Sequence, residues 1–347
     1  MVMKMEFYDG TKLLSLKDIN GKTPEIYICV SNRSAGKTTY FGRYFVNRFI
    51  KYGEKFALIY RFADELDNIS DKFFSDLHAL FFPAHTMTEV KREKGAYIEL
   101  KLNDETCGYA VALNSADKIK KFSHLMSGVE RMLFDEFQTE TGRYAAKEVQ
   151  KFISIHASLA RGRGKQSRYL PVIMLSNMVS LLNPYYTEFG ISARLREETK
   201  FLRGDGFVLE QSFNESAATA QKESAFNRAF QGNKQIDYLT QRVYLNDRLS
   251  FIEQPTGVSR YVCTIKFNGK LFGIREFLNE GIVHCSTKAD PSFPMKIAVT
   301  TDDHQINFVM LNAMRSLIMI LREYFERGVF RFSNLEAKEA LMSAISY

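Results

Sequence analysis

EIYICVSNRSAGKTT, residues 25–39, joins a short apolar run to a loop that ends in Gly-Lys-Thr. A helical pattern follows, in which Phe41, Phe45 and Phe49 are four residues apart, and it ends at Gly53. A loop between a buried strand and a helix N-terminus is a common binding place for phosphate, because the loop amides and the helix dipole both favour an anion. The stretch therefore predicts an α/β domain that binds a nucleotide.

The loop has the spacing GxxxxGK[ST] of a phosphate-binding P-loop, except that Ser31 stands where the first glycine is usual. In such a loop the amides cradle phosphate oxygens, Lys37 reaches the outer phosphates, and the Thr38 hydroxyl holds Mg²⁺. Arg33 is either a phosphate or sensor contact or a surface residue. We expect the change at Ser31 to affect loop geometry more than nucleotide binding. The predicted ATP-binding residues of this stretch are Ser31, Asn32, Arg33, Ser34, Ala35, Gly36, Lys37, Thr38 and Thr39.

Three further apolar runs have the length of strands buried on both faces of a sheet: residues 55–60, 131–134 and 170–175. Helix-length segments separate them, which favours a largely parallel sheet over roughly residues 1–200. Between residues 201 and 247 the composition changes to Gln, Asn, Ser, Ala and Gly, and we interpret this part as a linker or small lid.

Residues 248–347 predict a smaller α+β domain. YVCTIKF, residues 261–267, is followed by Asn268-Gly269 and a second apolar run. Asn-Gly favours the positive φ angles of a tight hairpin turn, so this segment predicts a β-hairpin. A helix is expected over residues 308–325.

Two carboxylates, Asp135 and Glu136, close the run RMLF at the end of a predicted buried strand. Ligands gather at this edge of open α/β sheets. Asp135 is therefore a candidate Mg²⁺ ligand, through water, and Glu136 a candidate general base; a solvated strand end is the alternative. Ser176 and Asn177 end another strand and either lie beside the γ-phosphate or start a turn.

A basic cluster comprises Arg161, Arg163, Lys165 and Arg168, with no acid among them. Such a cluster favours an anionic partner. It could contact DNA phosphates, supply an arginine finger to the nucleotide of a neighbouring subunit, or be a solvated basic loop. These alternatives stay open on the residues alone.

Composition sets the class of protein. The chain has 347 residues, 45% hydrophobic and 25% charged, which excludes a disordered or fibrous protein. A net charge of +7 favours a polyanionic partner.

The four cysteines form no CxxC pair, so we expect neither zinc nor disulfides. The N-terminus has no secretory signal pattern, and charges in residues 308–325 argue against a membrane span, so no membrane partner is expected.

Several motifs in one order carry a family resemblance: the P-loop through NRFIKYGEKFALIYR (47–61), LFDEF (133–137), LSNMVSLLNPYY (175–186) and TTDDH (300–304). Together they resemble the genome-packaging ATPases of phi29-like bacteriophages. The resemblance implies an additional-strand, catalytic-glutamate (ASCE) P-loop ATPase domain joined to a degenerate RNase H-like domain.

The resemblance also implies roles by position. Lys37 and Thr38 match the Walker A lysine and hydroxyl, and Asp135 and Glu136 match the Walker B pair. Arg161 matches the trans-acting finger, with Arg163 as the alternative.

The function implied is hydrolysis of ATP, with Mg²⁺, to translocate double-stranded DNA into a procapsid. The protein would act as a ring, a pentamer in relatives, at the portal vertex in the host cell cytoplasm, in some relatives with a packaging RNA. Asp290, Asp302 and Asp303 are possible nuclease ligands or surface-turn residues. Because the strand at 261–267 contains no carboxylate where related terminases have one, we expect no nuclease activity.

Two other classes of function share features with this sequence. A helicase-like NTPase, a GTPase or a kinase would also have a P-loop, but the guanine-binding NKxD spacing is missing at residues 233–237. Glu136 beside Asp135 also suits activation of water better than transfer to a hydroxyl. The other alternative is a nucleic-acid-binding protein with a relic nucleotide site.

Overall fold

A computed structural model describes residues 7–67, 69–126, 128–141, 143–161, 164–192, 194–195, 199–241, 243–245 and 251–346. These residues form two compact units. The first comprises the described residues of Met1–Ser180 and Leu195–Asn246, and the second those of Leu181–Arg194 and Asp247–Tyr347.

The first unit is built on a sheet that has nine strands within the described residues. Its strands are β1 (Ile26–Ser31), β2 (Lys55–Tyr60), β3 (Met87–Arg92), β4 (Tyr97–Leu102), β5 (Glu105–Ala112), β6 (Val129–Phe134), β7 (Val172–Asn177), β8 (Phe201–Gly204) and β9 (Phe207–Gln211). The second unit contains β10 (Arg260–Phe267), β11 (Lys270–Phe277), β12 (Ile282–Ser286), β13 (Lys296–Ala298), β14 (Val309–Met310) and β15 (Phe330–Phe332).

The α-helices of the described residues vary from one turn to more than four. They are α1 (Thr11–Ser15), α2 (Lys37–Tyr52), α3 (Ile69–Phe81), α4 (Ala116–Phe122), α5 (Glu148–Leu159), α6 (Pro184–Glu188), α7 (Glu215–Glu223), α8 (Ala225–Ala229), α9 (Lys234–Thr240), α10 (Arg315–Glu326) and α11 (Leu335–Ile345). None of them is long and apolar enough to cross a bilayer.

The first sheet runs in the order β3-β4-β5-β2-β6-β7-β1-β9-β8. From β5 to β9 each neighbouring pair is parallel, and the pairs β3-β4, β4-β5 and β8-β9 are antiparallel. Strand β7 lies between β1, which leads into the P-loop, and β6, which leads into the acidic pair. This is the additional strand that the family resemblance implied. The predicted fold class, a mostly parallel α/β unit with a smaller α+β unit, is confirmed.

Helix α2 packs its aromatic face on one side of this sheet. Phe41, Phe45 and Phe49 are buried in a core shared with Phe56 of β2 and Phe73 of α3. The spacing of four residues places the three rings on one side of the helix, as the sequence predicted. The helix ends at Gly53, as the sequence also predicted.

The opposite side of the sheet is covered by α5. The rings of Phe134 and Phe152 stack with centroids 5.7 Å apart. Neighbouring Leu133 belongs to the α2 core instead, because successive side chains of a strand point to opposite faces. Both faces of the central strands are therefore covered, which explains their nearly continuous apolar sequence.

The predicted boundary at residue 200 differs from the structure. Strands β8 and β9 belong to the first sheet, and β9 pairs in parallel with β1. Residues 201–247 are thus not simply a linker or lid, although α7 to α9 form a helical segment within them. Glu210 and Gln211 of β9 are buried. Because these buried positions are polar, the sequence lacks the apolar pattern that would have predicted a strand here.

The second unit contains a sheet in the order β14-β13-β10-β11-β12-β15. The predicted hairpin is β10 and β11, and its turn residues Asn268 and Gly269 have φ angles of 50° and 75°. The predicted helix at 308–325 begins later, at Arg315, because β14 and a short 3₁₀ turn precede it. Helices α10 and α11 contribute Leu321 and Leu341 to the core of this unit.

Candidate functional site

The P-loop connects β1 to α2 without needing a glycine at its first position. Ser31 is the last residue of β1 and pairs with Asn177 of β7, and it is not among the residues with positive φ. The left-handed residues of the loop are Ser34, at φ 63°, and Gly36, at φ 92°. The missing glycine therefore introduces no backbone strain at Ser31.

Lys37 is buried beneath this loop, with 6% of its surface exposed. Its Nζ donates to Ser31 Oγ at 2.9 Å, to the Asn32 carbonyl at 3.4 Å and to Asn177 Oδ1 at 3.2 Å. All three acceptors are neutral, and burial lowers the pKa of the ammonium group. A buried cation with neutral partners is complementary to an anion such as phosphate.

The hydroxyl of Thr38 donates to Asp135 Oδ2 at 2.8 Å. Thr38 lies in the first turn of α2 and Asp135 follows β6, so the pair joins the helix N-terminus to the edge of the sheet. Burial raises the pKa of the Asp135 carboxyl. A hydroxyl and a carboxylate at this separation are hard oxygen ligands of the kind that Mg²⁺ prefers.

Glu136 occupies a sharp turn after Asp135, with a left-handed φ of 55°. Its amide donates to the Asp135 carboxylate at 2.9 Å. Burial, followed by the negative charges of Asp135 and Glu140, raises the pKa of the Glu136 carboxyl. Two cavities, of about 310 and about 430 Å³, are both lined by Glu136, Arg61 and Glu65. The carboxylate therefore lies where a substrate and a water molecule can approach it.

Asn177 ends β7 between the P-loop and the acidic pair, and its contact with Lys37 favours the nucleotide-side interpretation over a simple turn. Two residues that the sequence patterns did not indicate lie nearby. Glu140 faces Arg33 at 3.8 Å, and it accepts a hydrogen bond from the buried Tyr238 hydroxyl at 3.1 Å. Arg33 is thus exposed but paired with an acid at the rim of the larger cavity.

The other loop residues do not all turn their side chains towards a ligand. Asn32 Nδ2 donates to the Asn214 carbonyl at 3.1 Å, and Asn32 Oδ1 accepts from the Asn214 amide at 2.8 Å. The Ala35 carbonyl accepts from the Tyr8 amide at 2.9 Å. Thr39 is half-buried within α2. Asn32 and Ala35 therefore fix the shape of the loop. They would contribute to a phosphate site through their backbone groups and not through their side chains.

Arg61 was missed by the sequence patterns although it directly follows β2. It is buried, and its Nε donates to both oxygens of Glu148, at 2.9 and 3.2 Å. Its Nη2 donates to the carbonyls of Glu136, at 3.1 Å, and Phe137, at 2.9 Å. The available signal was an arginine at the carboxyl end of a buried strand, where an unpaired charge is costly.

The basic cluster is divided by the structure. Arg168 pairs with Glu130 at 3.3 Å and also donates to the Leu159 carbonyl at 3.0 Å, so it has a structural role and is not available as a free anion contact. Arg161 is exposed just beyond the C-terminus of α5. Helix α5 begins at Glu148 beside Arg61 and is about 18 Å long, so Arg161 lies away from the cluster of Lys37 and Glu136 in the same chain. Arg163 lies outside the described residues.

The aspartates of the second unit have local structural partners. The Asp303 carboxylate is buried and accepts from the amides of Asn268, at 2.9 Å, and Gly269, at 2.7 Å, and from the Thr300 hydroxyl, at 2.7 Å. Asp290 accepts from the amide and hydroxyl of Ser292. In the described part of the chain no three His, Cys, Asp or Glu side chains come together as a metal site.

Replacing Asp303 by alanine is expected to destabilise the protein by about 3 kcal/mol, because two turn amides and a hydroxyl lose their buried acceptor. Asp302 is exposed, and Asp302→Ala is the matched control, expected to change the free energy of unfolding by less than about 0.5 kcal/mol. Urea unfolding of both variants measures the difference. Metal-dependent cleavage of DNA by the native protein that is lost in either variant would instead assign these carboxylates to a nuclease site.

The residues at the edge of the first sheet fit a nucleotide with a divalent cation. Lys37 supplies a buried positive charge, the P-loop supplies amides in a left-handed turn, and Thr38 with Asp135 supplies oxygen ligands. The four cysteines are buried, and none is paired with another.

Comparisons with known proteins agree with this geometry. The model of the family described as podovirus DNA encapsidation protein (Gp16) matches residues 2–344. The DNA packaging protein of Bacillus phage phi29 is 28% identical over 335 residues, which cover 95% of this chain and 94% of that protein. The packaging motor assembly of bacteriophage phi29 contains a chain of 26% identity and TM-score 0.71, with 98% and 97% of the two chains covered.

A further solved structure, the Phi-28 gp11 DNA packaging motor, shares the fold. Its TM-score is 0.59 at 14% identity, with 99% of each chain covered. The resemblance predicted from the P-loop, the acidic pair and the later motifs is confirmed by the family match and by the phi29 relatives.

Proposed function

Because the chain belongs to the podovirus DNA encapsidation protein (Gp16) family, we propose that it is the ATPase of a phage genome-packaging motor. It would hydrolyse ATP to move double-stranded DNA into a procapsid. The observation that carries the proposal is the cluster of Lys37, Thr38, Asp135, Glu136 and Asn177, which follows or ends three neighbouring parallel strands. Loops at that edge of a parallel sheet are where α/β proteins bind nucleotides.

The residues divide the chemistry among them. Lys37 and the loop amides would bind the β- and γ-phosphates. Thr38 and Asp135 would hold Mg²⁺, which supplies positive charge against the phosphate oxygens. Glu136 would accept a proton from the attacking water, and its raised pKa makes the ionised carboxylate a stronger base than an ordinary glutamate. Asn177 would sense whether the γ-phosphate is present.

The proposal includes a ring of five subunits at the procapsid portal in the host cytoplasm, and a packaging RNA as an optional further partner. Arg161 would complete the site of a neighbouring subunit, with Arg163 as the alternative finger. The exposure of Arg161 and its distance along α5 from its own P-loop support a role in trans. The net charge of +7 suits a DNA substrate.

The test is steady-state ATP hydrolysis with and without duplex DNA. We expect turnover to require Mg²⁺, to prefer ATP over GTP and to rise several-fold with DNA. Affinity for DNA should also fall steeply with salt, on the order of 10³-fold between about 50 and about 200 mM for about six phosphate contacts. Single-stranded DNA of matched length is the control. Turnover that ignores DNA, or DNA affinity that ignores salt, would contradict a motor that grips the DNA backbone.

A further inference from the structure

Arg61 ties together three segments around Glu136. The residue follows β2, and its side chain is only 7% exposed. Its guanidinium meets Glu148 at the start of α5 and the carbonyls of Glu136 and Phe137 in the turn after β6. Glu148 also accepts from the Ala145 amide at 2.7 Å. One side chain thus links the end of β2, the start of α5 and the turn that contains Glu136.

The turn at Glu136 needs such support. A left-handed φ of 55° is uncommon for a residue with a side chain and persists where the surroundings determine it. The Asp135 carboxylate accepts from the Glu136 amide, and Arg61 binds the Glu136 carbonyl on the other side of the same residue. Both peptide groups that flank the Glu136 Cα are therefore held, which sets the direction of the side chain.

We propose that Arg61 is a positioning residue that orients Glu136 for attack by water. The inference rests on the proposed function, because it assigns Glu136 as the base. The charge of Arg61 is offset by the buried Glu148 carboxylate at 2.9 Å, so its contribution is direction rather than attraction for phosphate. The planar, forked guanidinium reaches a carboxylate and two carbonyls at once, which a lysine ammonium cannot do in the same plane.

Two arginines with mostly buried side chains allow a matched experiment. Arg131 also pairs with a glutamate, Glu54, but it lies on β6 away from the catalytic edge, and its side chain is 11% exposed. We expect Arg61→Lys to lower kcat about 10²-fold, the loss typical of a misplaced catalytic group, with the Kd of a non-hydrolysable ATP analogue changed less than about threefold. Arg131→Lys should lower the melting temperature and leave kcat near the native value.

A second measurement separates position from folding. In Arg61→Ala, added methylguanidinium should restore part of kcat in a saturable way, whereas ethylamine should not, because only the planar group can bridge Glu148 and the two carbonyls. The melting temperatures of all variants define a common assay temperature at which each is folded.

The outcomes are distinct. Native kcat in Arg61→Lys while Glu136→Gln is inactive would overturn the role of Arg61 and leave the proposed function standing. Equal loss of kcat in Arg61→Lys and Arg131→Lys would assign Arg61 to stability alone and also overturn it. Full turnover in Glu136→Gln would remove the proposed base first, and the positioning role with it.

Discussion

Replacing Glu136 by glutamine is expected to lower ATP turnover on the order of 10³-fold while ATP affinity stays within a few-fold of native. The amide keeps the size of the side chain but cannot accept a proton from water. Lys37, Thr38 and Asp135 keep their contacts, so nucleotide binding should persist. Turnover under saturating ATP and equilibrium binding of ATP measure the two effects separately.

The same variant should be at least as stable as the native protein at neutral pH. The pKa of Glu136 is raised in the folded state, so its stabilising contribution is present below the unfolded-state pKa and is lost as pH rises through the folded-state pKa. Above the folded-state pKa the ionised carboxylate therefore destabilises the fold, and glutamine removes that cost. Glu105→Gln, at an exposed strand end, is the control for turnover. Near-native turnover in Glu136→Gln would end its assignment as the base.

Replacing Arg161 by alanine is expected to lower turnover about 10³-fold or more, because a finger arginine offsets charge that develops on the transferred phosphoryl group. If the finger acts in trans, Arg161→Ala and Glu136→Gln subunits complement each other. A subunit with native Glu136 then meets a neighbour with native Arg161. Mixing the two nearly inactive variants should restore measurable turnover, and the recovered rate against mixing ratio reports shared sites.

The neighbouring basic residues supply the controls for this experiment. Lys165 is exposed in the same loop, so Lys165→Ala tests the loss of charge alone and should leave turnover near native. Arg163→Ala is assayed in parallel as the alternative finger. Native rates in both arginine variants would exclude a finger from this loop, and no recovery on mixing would contradict its action in trans.

Features that depend on neighbouring residues were predictable from the sequence. The P-loop, the strand at 55–60, the acidic pair after RMLF and the Asn268-Gly269 hairpin are each encoded within a few residues. Their signals are local because loop amides, apolar runs and positive φ angles have local causes. Because the acidic pair follows a predicted strand, the sequence also indicated which edge of the sheet carries the candidate site.

Features that depend on distant pairing were not predictable. Strands β8 and β9 are short and partly polar, and only the place of β9 beside β1 explains why Gln211 is buried. The sequence could not distinguish Arg168, which has partners inside the unit, from the exposed Arg161. The sequence likewise gives no indication of the contacts of Arg61, because the carbonyls that it binds are about 75 residues away along the chain.

The pairing of β9 with β1 affects folding during synthesis of the chain and the choice of a site at which to cut it. Strand β1 is encoded near residue 26, yet one of its two partners is encoded after residue 206. A nascent chain that ends near residue 200 would leave the P-loop strand as an open edge, which invites pairing with other chains. The sheet that carries the proposed nucleotide site is thus completed late in synthesis, and a cut at the composition change near residue 200 would divide the first unit rather than separate two domains.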